Sequence, residues 1–317
     1  MNYAPIVIPT LNRFEHFKNC VESLKINKYA DKTDLIVALD YPPAEKYENG
    51  WRLISGYLDS LTGFNKVVVI KREKNLGAIE NIKSILGYVC ENYETFIFTE
   101  DDNIFAKCFL EYANKGLEKF KDDKSIESIS GYSYPIFYDK NEFNVVRVQR
   151  YFSDWGFATW KDRYLEAKSI LTNEFFEKLF RNKKLCKKLR TASKKNYTRA
   201  ISFIKDKNVR PYDYTNSIGQ ILLDRFSIMP KETLVKNTGW DNSGVHCASD
   251  NAIAKLFNEQ HLSEKIDWND FSFDALDSLK IDRQLDKSII GEYSKIDYLK
   301  VRLKEFLYRN NLFEPKN

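Results

Sequence analysis

Two rhythms of apolar and polar positions alternate along the first hundred residues. Uninterrupted apolar runs, Ala4 to Ile8, Leu35 to Leu39, Val67 to Ile70 and Phe96 to Phe98, have the length and β-branched content of buried strands. Between them Phe17, Val21 and Leu24, then Trp51, Ile54, Leu58 and Leu61, then Ile79, Ile82, Ile85 and Leu86 recur at the spacing of amphipathic helices. Strands alternating with helices predict right-handed crossovers and a mostly parallel sheet, a nucleotide-binding type of α/β unit.

Beyond Asp102 the rhythm changes. A helix is expected from Phe109 to Phe120, a strand over Ile126 to Tyr132, and then an aromatic stretch, Tyr151-Phe152-Ser153-Asp154-Trp155-Gly156-Phe157-Ala158-Thr159-Trp160. Leu185, Leu189 and Ala192 keep helical spacing inside a basic segment, and Pro211-Tyr212-Asp213-Tyr214 leads into a helix through Ile218, Ile221 and Leu222. Near the end, Ile296, Leu299, Leu303 and Phe306 fall on one side of a basic amphipathic helix.

At 317 residues, 43% hydrophobic and 30% charged, the chain can bury a full core. The net charge of +5 is unevenly spread: residues 178–207 hold twelve Lys or Arg against Asp206 alone, or +11, which leaves the remainder at −6. That segment is either a solvated helix face or a surface for an anionic membrane, and no nucleic-acid-binding motif accompanies it. Cysteines at 20, 90, 108, 186 and 247 show neither metal-ligand spacing nor a disulfide framework, which favours a reducing compartment. No apolar run is long enough to span a bilayer and the first strand follows position 1 directly, so a cytoplasmic protein, peripheral at most on the inner membrane, is expected.

The candidate chemistry lies where strands end. Glu100, Asp101 and Asp102 follow Phe98 at the carboxyl edge of the sheet, where open α/β sheets bind their ligands. Adjacent carboxylates repel one another and remain ionised most readily beside a cation, so the triplet points to a divalent metal. The plainer alternative is an acidic turn capping a helix that starts near Ala106.

Val7-Ile8-Pro9-Thr10-Leu11-Asn12-Arg13, Asp40, Asn75-Leu76-Gly77 and Glu100-Asp101-Asp102, in that order, resemble inverting glycosyltransferases of the GT-A fold, nearest to bacterial family 2-like and N-acetylglucosaminyltransferase I-like sugar transferases. Trp155 to Trp160, Tyr212-Asp213-Tyr214 and Asn237-Thr238-Gly239 through His246 extend the likeness over about residues 4 to 250. It implies a GT-A domain over 1–250, with a nucleotide-binding half over 1–103 and an acceptor half over 104–250, followed by a helical extension over 251–317. It also implies Mn²⁺ or Mg²⁺ as Lewis acid on a leaving diphosphate, with Asp102 and His246 as ligands. Glu100 and Asp101 would orient ribose, donor sugar or metal-bound water. Pro9, Thr10, Arg13, Asp40, Asn75, Gly77, Trp155 and Gly156 complete the nucleotide-sugar site, Arg13 offering planar donors to the diphosphate and Asp40 accepting from base or ribose. Arg13 and Asp40 can equally be ordinary loop residues, and a lone histidine such as His246 is often structural. His16 and His261 lie in no such setting.

Inversion requires a general base on the acceptor hydroxyl. The resemblance places it at Asp213; Asp154, desolvated beside tryptophans, is the rival, and Asp213 can alternatively be a helix cap. The expected reaction moves a sugar from a nucleoside-diphosphate donor, most simply a UDP-sugar, to a glycan or lipid-linked acceptor in surface polysaccharide synthesis. A sugar-nucleotide nucleotidylyltransferase is disfavoured by the absence of a glycine-rich, basic phosphate loop after the first strand. A catalytically silent carbohydrate- or membrane-binding module is disfavoured by the intact carboxylates.

Overall fold

The computed structural model describes residues 3–139, 143–170, 172–205, 212–241, 255, 257–272, 278–288 and 295–310. Four parallel strands open the chain: β1 (Ile6–Thr10), β2 (Asp34–Leu39), β3 (Lys66–Lys71) and β4 (Thr95–Phe98), separated by α1 (Phe14–Lys25), α2 (Glu48–Asp59) and α3 (Ala78–Asn92). After β4 come β5 (Asn103–Phe105), α4 (Phe109–Lys119), β6 (Ile126–Ser130), β7 (Val145–Val148) and β8 (Phe157–Trp160). Five helices follow, α5 (Lys161–Ile170), α6 (Asn173–Leu179), α7 (Lys183–Ala192), α8 (Lys194–Lys205) and α9 (Tyr212–Leu223), then β9 (Phe226–Pro230), β10 (Val235–Asn237), α10 (Ser278–Ser288) and α11 (Lys295–Arg309).

The main sheet runs β3-β2-β1-β4-β8-β6-β9-β7. Only β8 and β7 oppose the others, so the sheet is mostly parallel, as the alternating pattern predicts. Along β1, Ile6 and Ile8 face one layer with α1, α2 and α4, while Val7 faces the other with α3, so the strand is apolar from Ile6 to Pro9 because both faces are covered. β3, at the sheet edge, ends in exposed Lys66 and Lys71. The helix expected from Phe109 is α4; the alternative in which the acid triplet caps a helix starting near Ala106 fails, because residues 103–105 pair with β10 in a separate antiparallel ribbon.

A second core lies among α6, α7, α8 and α9, built from Phe176, Phe180, Leu189, Tyr197, Ile218 and Ile221, and Val301 of α11 joins it. The basic segment is therefore helical with its apolar side buried. Residues beyond 250 serve both cores: Phe257, Trp268, Phe271 and Leu285 belong to the main one.

Candidate active site

Strand order reverses between β1 and β4, and the loops at their carboxyl ends meet there. Thr10, the last residue of β1, donates its hydroxyl to Asp101 at 2.7 Å. Arg13 occupies the N-cap of α1 without capping it; its guanidinium reaches across to Asp101 and, at 2.8 Å, to Asp102. Asp101, Asp102 and Asn103 are all buried, and Asn103 hangs from Thr99 by a 2.8 Å bond. Burial pushes Asp101 above the usual carboxylate range, against the pull of Arg13.

The β5–β10 ribbon holds the triplet from the other side. Asn237 donates to Asp102 at 2.7 Å and to Asn103 at 3.0 Å, while the backbone amide and hydroxyl of Thr238 both donate to the Asp102 carbonyl at 2.8 Å. Gly239 then passes so close that a Cβ there would lie 2.2 Å from an Asp102 carboxylate oxygen and 3.3 Å from the Arg13 guanidinium. His16, without a role in the sequence reading, faces this loop: its Nδ1 lies 3.2 Å from Thr238 Oγ1 and its Nε2 3.0 Å from Asp241.

Glu100 links the triplet electrostatically to Asp154, and Asp154 in turn to Asp213. Burial and the charges of Asp154, Asp102 and Asp101 hold Glu100 well above its ordinary value. Asp154, in the turn before β8, is pushed up to about 7 by burial and by Asp213. Asp213, in the first turn of α9, is raised by burial, with the Tyr214 amide and Arg199 pulling the other way. Tyr134, whose hydroxyl donates to the Phe152 carbonyl at 3.2 Å, feels both aspartates. Candidate bases from two distant segments thus converge on one set of interacting carboxylates, which titrate together rather than singly.

Two basic side chains of α8 border that set. The Arg199 guanidinium lies 3.4 Å from the centre of the Tyr214 ring. The Lys195 ammonium is buried without a hydrogen-bond partner, and desolvation lowers it to about 8. Neither stands out in the sequence from the ten other cations of its segment; only the tertiary fold selects them.

Asp40 holds backbone beside the site. Its carboxylate accepts from the amides of Tyr41, Leu76 and Gly77, each at 2.9 Å, and from Asn75 at 3.2 Å. It thereby fixes the entrance to α3, where Gly77 adopts a φ of 75° that disfavours any side chain. Pro9 lies within β1, paired with Ala38. Gly156, at φ 67°, lets the Asp154 turn pass Phe105 and Val235, each 2.8 Å from the position its Cβ would occupy. Trp155 packs edge-on against Tyr132, Trp240 and Phe257 at 4.8, 6.4 and 5.6 Å, a wall of the site joined to the core. His246 lies outside the described residues.

The donor set is rich in hard oxygen atoms, as Mg²⁺ and Mn²⁺ require, and it gathers more negative charge than Arg13 offsets. Among the described residues no three His, Cys, Asp or Glu side chains form a preformed metal cage. A cation held by one or two carboxylates and by substrate phosphates needs none, and the triplet fits that mode.

No protein-family model matches the chain, and no curated protein matches it. Solved structures similar to it include a mannosyltransferase from Pyrobaculum calidifontis in complex with GDP-Man and Mn²⁺, at 14% identity and a TM-score of 0.36, over 52% of this chain and 46% of that one. Residues 1–349 of S. aureus TarS give 10% identity and a TM-score of 0.41, over 74% of this chain and 59% of that one. A second TarS structure gives 11% and 0.35, over 64% and 42%. The chain spans about half the length of these structures. At such values the chemistry has to be read from the side chains.

Proposed function

We propose that this protein is a metal-dependent, inverting glycosyltransferase of the GT-A type that moves a sugar from a nucleoside-diphosphate donor to a glycan or lipid-linked acceptor. The observation that carries the reading is the division of five carboxylates at one switch point. Asp101 and Asp102 are clamped by Arg13, Thr10 and Asn237, whereas Glu100, Asp154 and Asp213 are carboxylates whose proton affinities burial raises above the ordinary range. The first group suits a diphosphate and its cation; the second suits proton transfer.

When bound, the divalent cation supplies Lewis-acid stabilisation of the charge that develops on the departing diphosphate, with Asp102 as its direct protein ligand. Arg13, already poised over Asp101 and Asp102, adds a fixed pair of donors for the same phosphates. The acceptor hydroxyl oxygen attacks the anomeric carbon, the bond from that carbon to the diphosphate oxygen breaks with its electron pair, and Asp213 takes the hydroxyl proton. Burial raises the proton affinity of Asp213 above its ordinary value, against the pull of the Tyr214 amide, Arg199 and Lys195, which is the direction a general base at neutral pH requires.

The test is calorimetric titration with UDP, GDP, dTDP and CMP, each with and without Mn²⁺. Binding of one diphosphate that depends on Mn²⁺ and disappears in Asp102→Asn is expected. If the folded protein binds none of the four, the donor-site assignment fails.

A further inference from the structure

Helix α11 is apolar on two opposite sides. One side faces the helical core: Val301 is buried there, and Glu305, also buried, accepts from Tyr197 and from Arg190, Arg302 and Arg309. On the other side Ile296 and Leu299 are each 65% exposed and Leu303 and Phe306 each 59% exposed, at a spacing that makes one continuous stripe along three turns. Such a stripe of four large apolar side chains is unusual on a free soluble surface.

The positions beside the stripe narrow the choice of what covers it. On a helical wheel Lys300 and Lys304 fall along one edge and Arg302 along the other, and residues 295–309 hold five Lys or Arg against two acids. A second copy of the helix laid on this face would set basic edges against basic edges. An anionic bilayer surface instead accepts both components, with the apolar stripe sinking to the acyl boundary and the lysine stems extending to the headgroups. The neighbouring surface has the same character: α11 packs on α8, and α7 exposes Lys183, Lys184 and Lys187.

We propose that α11 is an interfacial anchor that seats this side of the protein on an anionic membrane surface through Ile296, Leu299, Leu303 and Phe306. No helix of the described residues is long and apolar enough to cross a membrane, so the contact is one of lying on the surface. α8, on which α11 packs, also carries Lys195 and Arg199 to the Asp213 side of the carboxylate set. The anchor itself does not depend on the glycosyltransferase reading, since its test involves no turnover.

The experiment is co-sedimentation of the full chain with vesicles of phosphatidylcholine alone and of phosphatidylcholine with phosphatidylglycerol, at low and at physiological salt. The wild type should bind the anionic vesicles, more weakly as salt screens the basic edges, and bind the neutral ones poorly. L299S/L303S, altered only at exposed positions, should keep its melting temperature and lose vesicle partitioning by about tenfold or more. In a separate Phe306→Trp variant the emission should shift to the blue with anionic vesicles. Equal partitioning of wild type and L299S/L303S overturns the anchor. So does the absence of vesicle binding, including the case where wild type forms a dimer that the double substitution dissociates.

Discussion

Gly239 abuts Asp102 so closely that even one methyl group between them would sit 2.2 Å from a carboxylate oxygen. The contact ties the loop after β10 to the acid proposed to hold the cation. Gly239→Ala must therefore push Asp102 or Arg13 out of place. Loss of Mn²⁺-dependent nucleotide binding with an unchanged circular dichroism spectrum is expected, and a fall in kcat/KM on the order of 10²-fold, the cost typical of misplaced reacting groups. Wild-type donor affinity in this variant would remove Asp102 from the donor site.

Arg13 compensates two buried carboxylates, and its own guanidinium is only partly exposed. Arg13→Ala leaves both acids without that charge, a loss of about 1–3 kcal/mol at neutral pH. Without Arg13 the folded-state proton affinity of Asp101 rises further above its unfolded value. The destabilisation should accordingly grow as pH rises from the acid range and recede on acidification. Mn²⁺ should restore part of the loss by replacing the missing positive charge. Denaturant melts at several pH values, with and without Mn²⁺, measure both effects.

Asp154 stands at about 7 in the folded protein against an ordinary carboxylate value near 3.9 when unfolded. The folded state thus holds the extra proton between about pH 4 and 7, so this group erodes stability as pH rises through that window and contributes no further change above it. Asp154→Asn should flatten the fall, visible in urea midpoints from pH 4 to 8. In a rate profile the acidic limb near pH 7 belongs to the carboxylate set, and Asp154→Asn should move it to lower pH.

Asp213→Asn separates the two candidate bases. Loss of transfer by roughly 10²–10⁴-fold with nucleotide binding retained is expected if Asp213 takes the proton. Should Asp154→Asn show that loss while Asp213→Asn transfers normally, their roles are exchanged.

Lys195 lends Asp213 positive charge from a buried position without a hydrogen-bond partner. Lys195→Met preserves the side-chain volume and removes the charge. The acidic limb of the rate profile should shift upward while the melting temperature holds or rises, since an unpartnered buried ammonium is costly. A limb that stays in place would show that Lys195 does not act on Asp213.

The first four strands and three helices were legible because each is an unbroken apolar run or a stripe at helical spacing. So was the edge where Thr10, Arg13 and the acid triplet meet, since strand ends of one parallel sheet share a side. Asn237 was visible as part of an Asn-Thr-Gly turn, yet its hold on Asp102 depends on a ribbon pairing that Asn103 to Phe105, three residues long, cannot announce. The juxtaposition of Asp154 and Asp213 was beyond reach for a similar reason. It needs β8 inserted antiparallel between β4 and β6 and α9 laid across it, both products of long-range packing. Asp40 was legible as a lone acid after a strand; its hold on the amides of Leu76 and Gly77 was not, because it spans a crossover of the chain.

Trp155 directly follows Asp154 and Trp240 directly follows Gly239, and their rings meet edge to face at 84°. One indole is thus attached to the turn that carries a candidate base, the other to the loop that presses on Asp102. Any molecule that draws those two segments together or apart alters the electronic surroundings of a coupled chromophore. If the donor site is as proposed, its occupancy is expected to register as a change in intrinsic ultraviolet emission, without label or substitution.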